Sequence, residues 1–162
     1  MARLMITAGL EPFALRLAKR IQQETDIAVI YADCHDIPRV LLQGGKYKFI
    51  PYGVAPTFAH EILSLCLDEN IDYLLPLRRT EMQALAESKQ LFAEYGITLL
   101  VPAKGLLNEV SFLDNPDKAL PVEILLNGKN FFNNEVYSEL IAYSGPFVIS
   151  DSGEEALLVG LL

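Results

Sequence analysis

Apolar and polar positions along this chain follow two rhythms in turn. Residues 3–7 and 27–31 are short apolar runs without polar alternation, as expected of strands buried on both faces. Between them, residues 12–24 place Ala14, Leu17, Ala18 and Ile21 on one side and Arg16, Lys19, Arg20 and Gln23 elsewhere. That is helical spacing. Pro12 suits the first helical position, where its missing N–H would have had no partner. The alternation then repeats. Residues 37–43 predict a short helix stopped by Gly44-Gly45, and 47–50 a brief strand ended by Pro51. Residues 56–69 predict a helix with Phe58, Ile62, Leu65 and Cys66 on one stripe, and 72–75 a fourth strand. Thr80 reads as an N-cap with Gln83 as its capping-box partner. The helix behind it turns Met82, Leu85, Ala86, Phe92 and Ala93 inward and ends at Gly96, a C′ glycine. Residues 97–101 give a fifth strand.

Strands alternating with helices are βαβ units, and their crossovers build a parallel sheet covered on both faces. The expected fold class is therefore α/β, a doubly wound, Rossmann-like parallel sheet over residues 1–102. Residues 103–162 change character and predict a small α+β extension. Residues 102–112 suggest a linking helix. Residues 122–126 and 129–132 flank Asn127-Gly128, a pair that favours the type I′ turn of a hairpin. A helix over 134–143, a strand over 147–150 and a final helix over 152–162 complete the expectation. That last segment ends Ala-Leu-Leu-Val-Gly-Leu-Leu. So apolar an end is either tucked into the core or awaits an element to cover it.

Composition narrows the function. With 51% hydrophobic residues in 162, the chain can build a substantial core, and disorder is excluded as its main state. The net charge of −8 argues against a broad phosphate-binding surface, so no nucleic acid is expected as a partner. No apolar run approaches the ~20 residues of a membrane span, and the first residues meet Glu11 and Pro12 too soon for a secretory signal. Cys34 and Cys66 show no CxxC spacing, which fits reduced thiols in a cytoplasmic protein. His35 and His60 lack the spacing of metal ligands, and no metal site is expected.

In a doubly wound sheet, ligands bind beyond the carboxyl ends of the strands where strand order reverses. If the first strand is central, the loops after strands one and four flank that crevice. They carry Gly9, Glu11, Arg78, Arg79, Thr80 and Glu81, and the loop after strand two adds Asp33 and Cys34. Gly9 could let backbone N–H groups approach an anion at a helix N-terminus, but one glycine is no dinucleotide fingerprint. Arg78-Arg79 could grip a carboxylate or phosphate through the guanidinium fork, or pair with nearby acids. Glu11 and Glu81 suit an acid/base pair, and equally suit first-turn positions favoured by the helix dipole. Asp33 and Asp36 would raise the pKa of Cys34, so an inert thiol is expected. Cys66 belongs to the core stripe and His60 to an exposed helix face. Tyr47, Phe49 and Tyr52 alternate along a strand, the pattern of packing more than of a stacking platform.

The order of these residues resembles a known family. Met5-Ile6-Thr7-Ala8-Gly9, Val29-Ile30-Tyr31-Ala32-Asp33-Cys34-His35, and Asn70-Ile71-Asp72-Tyr73-Leu74-Leu75-Pro76 followed by Glu81 together look like the N-terminal, pre-ATP-grasp domain of ATP-grasp carboxylate–amine ligases. Within that family the likeness is to relatives of carbamoyl-phosphate synthase large chains. It covers about residues 1–118, with residues 95–102 closing the domain in the family manner. Family members continue with an Asp-Lys pair whose lysine reaches nucleotide phosphates, and Asp117-Lys118 is similar. A later strand carries a second phosphate-binding lysine. Gly145-Pro146-Phe147-Val148-Ile149 resembles its start, but Ser150 stands in the lysine's place. The glycine-rich loop that should follow is Asp151-Ser152-Gly153-Glu154-Glu155, whose acids would repel a triphosphate.

The resemblance thus implies a pre-ATP-grasp-like domain over 1–102 and a truncated or degenerate start of an ATP-grasp domain over 103–162. The expected function is a stand-alone binding domain, not catalytic alone, for a small anionic ligand such as a carboxylate or for an ATP-grasp partner protein. The alternative is the substrate-binding portion of a split ATP-dependent ligase. No cofactor is expected for the chain by itself; ATP and Mg²⁺ would enter only with the remaining ATP-grasp machinery. Whether the chain forms a homodimer is left open.

Overall fold

The computed structural model describes residues 1–162. Its first sheet holds β1 (Arg3–Ile6), β2 (Ala28–Asp33), β3 (Tyr47–Phe49), β4 (Tyr73–Leu75) and β5 (Thr98–Leu99) in the order β3-β2-β1-β4-β5. Every pairing is parallel, with Leu4 opposite Val29 on one side and Tyr73 on the other. Helices α1 (Pro12–Glu24), α2 (Arg39–Gln43) and α3 (Phe58–Asp68) follow the first three strands. The doubly wound expectation holds, and β1 is central, so strand order reverses between β1 and β4. Helix α1 spans the expected residues and buries Phe13, Ala14, Leu17, Ala18 and Ile21.

Behind β4 the expected single helix is two, α4 (Arg79–Ala86) and α5 (Lys89–Glu94). The N-cap of α4 is Arg78, not Thr80. Glu81 supplies the capping carboxylate, accepting the Arg78 N–H at 3.3 Å. Helix α4 therefore starts two residues early, and Gln83 is exposed. Phe92 is buried as expected, but Ala93 is exposed. Gly96 ends α5 at φ +78, a conformation glycine adopts without strain.

Helix α6 (Lys104–Glu109) links to a second sheet of β6 (Phe112–Asp114), β7 (Glu123–Leu126), β8 (Lys129–Asn130), β9 (Gly145–Ile149) and β10 (Ala156–Gly160), ordered β6-β10-β9-β7-β8. The hairpin β7–β8 turns on Asn127 (φ 51) and Gly128 (φ 78), the positive-φ pair of a type I′ turn. Two expectations fail here. The 134–143 segment is not a helix beyond one 3-10 turn at Ser138–Leu140. Asn130 Oδ1 accepts the Phe132 N–H and Asn133 Oδ1 the Glu135 N–H, while Asn130 and Tyr137 donate to Glu135 and Gly128 carbonyls. These local bonds compete with helical ones and win. The final segment is strand β10, not a helix. It lies between antiparallel β9 and parallel β6, where both edges of an apolar strand are satisfied.

The two sheets share their interior. One core joins Met5, Ile30, Ile62, Leu74 and Phe92 to Leu125, Leu140, Phe147 and Leu158. The other joins Leu4, Ile6, Phe13, Leu17 and Leu75 to Val122, Ile124, Val159 and Leu161. Residues 103–162 therefore pack on the first sheet, and the apolar end is covered.

Candidate functional site

The carboxyl ends of β1, β2 and β4 converge on a compact set of charges. Asp33 ends β2 and is wholly buried. Its Oδ2 accepts the Leu10 N–H at 3.0 Å; its Oδ1 accepts the His35 N–H at 3.0 Å and the Arg78 guanidinium at 3.1 Å. Burial pushes the Asp33 carboxyl up, but the two backbone N–H groups and Arg78 together outweigh it and hold the group below its usual range. Arg78 leaves β4 in extended conformation and keeps only 11% of its side chain exposed. A second acid, Glu11, lies 3.8 Å from it. Burial opposes the Arg78 charge, yet Asp33 leads the contacts that strengthen it. The Arg78 Nε has no hydrogen-bond partner.

Glu81 forms the floor. It is fully buried at the start of α4, with Oε2 unpartnered. Burial pushes its carboxyl up to about 7, against the opposing pull of Thr7, the Arg78 N–H and the Arg78 charge. Thr7 is buried after β1, and its hydroxyl accepts the Leu77 N–H at 2.7 Å. Cys34 is also buried, and burial raises its thiol pKa; Arg78 works against this, with Glu81 and Asp33 adding to it. The thiol is thus held in its unreactive form.

The structure brings Glu11, Asp33, Arg78 and Glu81 together and gives the other candidates different places. Gly9 donates its N–H to the Ala32 carbonyl at 2.9 Å. A Cβ there would meet Tyr31 Cβ at 2.8 Å, so Gly9 serves the close approach of the loop to β2. The N–H groups of Phe13 and Ala14, in the first turn of α1, have no partner within the chain. Arg79 lies over the Phe112 ring at 4.8 Å and donates its backbone N–H to the Leu161 carbonyl at 2.7 Å. Thr80 faces the loop after β3, where a Cβ on Gly53 would come 2.8 Å from Thr80 Oγ1. Lys118 stands apart from the crevice. It lines a cleft of about 180 Å³ with Phe13, Arg16, Arg20 and Asp117.

Sequence reasoning missed Thr7, Gly53 and Leu161. Gly53, flanked by Tyr52 and Val54, did carry a signal, since an isolated glycine among large side chains often marks a close backbone approach. Leu161 carried none. The hairpin between β9 and β10 is a tight polar turn, in which Ser150 Oγ accepts the Glu155 N–H at 3.1 Å. Asp151 and Glu154 line one cleft there with Glu135 and Glu139. That acidic surface does not fit a triphosphate, and Lys118 lies in a different cleft. No group of three or more His, Cys, Asp or Glu side chains is arranged to hold a metal ion, and no helix is long and apolar enough to cross a membrane.

Comparison with curated proteins finds no match to this chain. A family model does match it, over residues 4–100, which is the first sheet from Leu4 onward with its crossover helices and the charged cluster of Glu11, Asp33, Arg78 and Glu81. The chain belongs to the PylC-like N-terminal domain family, a pre-ATP-grasp type of domain.

Proposed function

We propose that the chain is the substrate-holding part of an ATP-dependent carboxylate–amine ligase, and that it transfers no phosphate by itself. In this reading the carboxyl end of the parallel sheet receives a small molecule carrying an amine beside a carboxylate. The observation that carries it is the buried Asp33–Arg78 pair, edged by Glu11 and floored by Glu81. Two acids, Asp33 and Glu11, face one guanidinium there, so acidic groups outnumber basic ones. A bare small anion would meet repulsion there, whereas an ammonium group would find an acid and an attached carboxylate would find Arg78 or the free N–H groups of α1. The charge balance thus moves the expected ligand from a simple anion to a zwitterion.

Phosphoryl transfer needs cations placed around the triphosphate. The hairpin after β9 offers Ser150 and three acids instead, so the nucleotide chemistry, with its ATP and Mg²⁺, falls to an ATP-grasp body in the same assembly. Calorimetric titration of the full chain tests both halves. Lysine or glycine is expected to bind, acetate and ATP·Mg²⁺ are not, and Glu11→Gln should weaken amino-acid binding by about tenfold. Glu11 is partly exposed, so its variant keeps the fold. Tight, Mg²⁺-dependent ATP binding, or ATP hydrolysis by the chain alone, would end this reading.

A further inference from the structure

One stretch of the molecule departs from the rest in both charge and burial. Residues 37–60 contain Arg39, Lys46 and Lys48 and no aspartate or glutamate, in a chain of net charge −8. Lys48 sits 3.5 Å from Glu69, whereas Arg39 and Lys46 make no ion pair. The same stretch leaves five large apolar side chains in water: Val54 at 77%, Val40 at 73%, Phe49 at 59%, Tyr52 at 56% and Leu42 at 43% exposure. The packing expected of its aromatic residues holds for Tyr47, stacked on Tyr31 at 4.8 Å, but Phe49 is 59% exposed and Tyr52, tilted against His35 at 6.0 Å, is 56% exposed.

A sheet edge lies within this stretch. β3 is the last strand in its sheet, and its bonds to β2 run through the Lys46 carbonyl and the Ile50 N–H. The alternation of a parallel ladder then points the N–H and C=O groups of Tyr47 and Phe49 outward. Those outward groups find no hydrogen-bond partner elsewhere in the chain. Exposed edges are templates for another strand unless guarded, and contiguous apolar patches on a monomer commonly serve binding.

Charge selects the occupant. A second copy docked edge to edge would bring two stretches of the same positive sign together, which is unfavourable. A lipid surface would satisfy the cations but not the outward N–H and C=O groups of β3. An acidic polypeptide satisfies all three features. We infer that the β3 edge docks an acidic segment of a partner protein, which adds as a strand with its apolar residues on Phe49, Tyr52 and Val54 and its acids toward Arg39 and Lys46. This surface stands independently of the ligand assigned to the crevice.

The test is an amide NMR titration of the full chain with a synthetic peptide alternating Glu and Val. The comparators are a Lys/Val peptide of equal length and phosphatidylglycerol vesicles. Shifts confined to residues 39–54, weakened by salt and weakened about tenfold or more by Phe49→Asp and by Arg39→Glu with Lys46→Glu, are the expected result. Val54→Asp, at a still more exposed position, serves if Phe49→Asp does not fold. The inference is overturned if the Glu/Val peptide leaves residues 39–54 unmoved or the Lys/Val peptide binds as well. Vesicle binding in place of peptide binding, or self-association through this edge, would also overturn it.

Discussion

Two carboxylates within one crevice show how far surroundings divide identical chemistry. Asp33 and Glu81 are both fully buried. Asp33 receives two backbone N–H groups and a guanidinium and stays ionised. Glu81 accepts the Arg78 N–H only in a long bond on Oε1, with Oε2 bare, and burial outweighs the pull of Thr7 and Arg78, so its carboxyl rises to about 7 from an ordinary 4.5. The sign of the consequence follows from which state holds the proton. Below pH 4.5 folded and unfolded chains both carry it, and burial of the neutral acid costs no charge. Between 4.5 and 7 the unfolded chain releases the proton while the folded chain keeps it, so stability falls as pH rises. The full loss, above pH 7, is roughly 3 kcal/mol. Glu81→Gln keeps an oxygen for the Arg78 N–H and removes the titration. Chemical denaturation from pH 5 to 8 should therefore show a decline in the native chain that the variant lacks, whatever its constant offset. Parallel curves would mean that Glu81 titrates as an ordinary exposed acid.

The decisive element is β10, because it joins the second sheet to the start of α4. Its continuation forms two backbone bonds with the crevice strand's exit, Leu161 N–H to the Leu77 carbonyl and Arg79 N–H to the Leu161 carbonyl, both 2.7 Å. Gly160 makes this approach possible. A Cβ there would lie 2.5 Å from the Leu77 carbonyl oxygen, 3.0 Å from Met82 Cε and 3.2 Å from the Phe112 ring. The first of these is backbone and cannot swing aside, so Gly160→Ala should cost about 2 kcal/mol or more and lower Tm by several degrees. Gly105→Ala in α6 is the matched control. Nothing lies within 4 Å of its added methyl, and a helix gains about 0.5–1 kcal/mol from alanine over glycine. Calorimetry of the two variants should move in opposite directions, and a Gly160→Ala melt unchanged from the native chain would refute the seam. The sequence reveals some elements and hides this one for physical reasons. Helix α1 announces itself through Pro12 and one apolar stripe, and the β7–β8 turn through Asn127-Gly128. β10 is apolar at nearly every position, so a strand period and a helix period fit it equally. Only its neighbours β6 and β9 decide, and β6 is itself a three-residue strand with no turn signal before it. The crevice was legible for a different reason. A doubly wound order fixes which loops meet, so Glu11, Asp33, Arg78 and Glu81 were named from topology alone. That Arg78 pairs with Asp33 while Arg79 turns to Phe112 depends on side-chain packing that no local pattern encodes.

At the scale of the whole molecule, the family match and the physical unit have different extents. The match ends at residue 100, but neither core does. Leu125, Leu140, Phe147 and Leu158 close one face of the first sheet, and Val122, Ile124, Val159 and Leu161 contribute to the other. Arg20 reinforces the join, donating to the Val122 carbonyl at 2.6 Å and to Glu123 while covering the Phe132 ring at 3.9 Å. Removing residues 103–162 would strip partners from both cores at once. Each large apolar side chain returned to water costs about 1.5–3 kcal/mol, and a few of them exhaust the 5–15 kcal/mol that a domain holds in reserve. A fragment of residues 1–102 is therefore expected to lose cooperative unfolding and bind a hydrophobic dye. The full chain should instead melt in one transition, by near-UV circular dichroism and calorimetry alike. Phe147→Ala, in the second sheet, and Ile62→Ala, behind the first, should each lower that same transition by about 2–5 kcal/mol. If the fragment melted as sharply and at the same temperature as the full chain, the two sheets would be independent domains and the shared interior would contribute nothing to their stability. Co-dependence is what places Leu161 at the mouth of α4, and with it the Arg78 that any ligand in the crevice would have to meet.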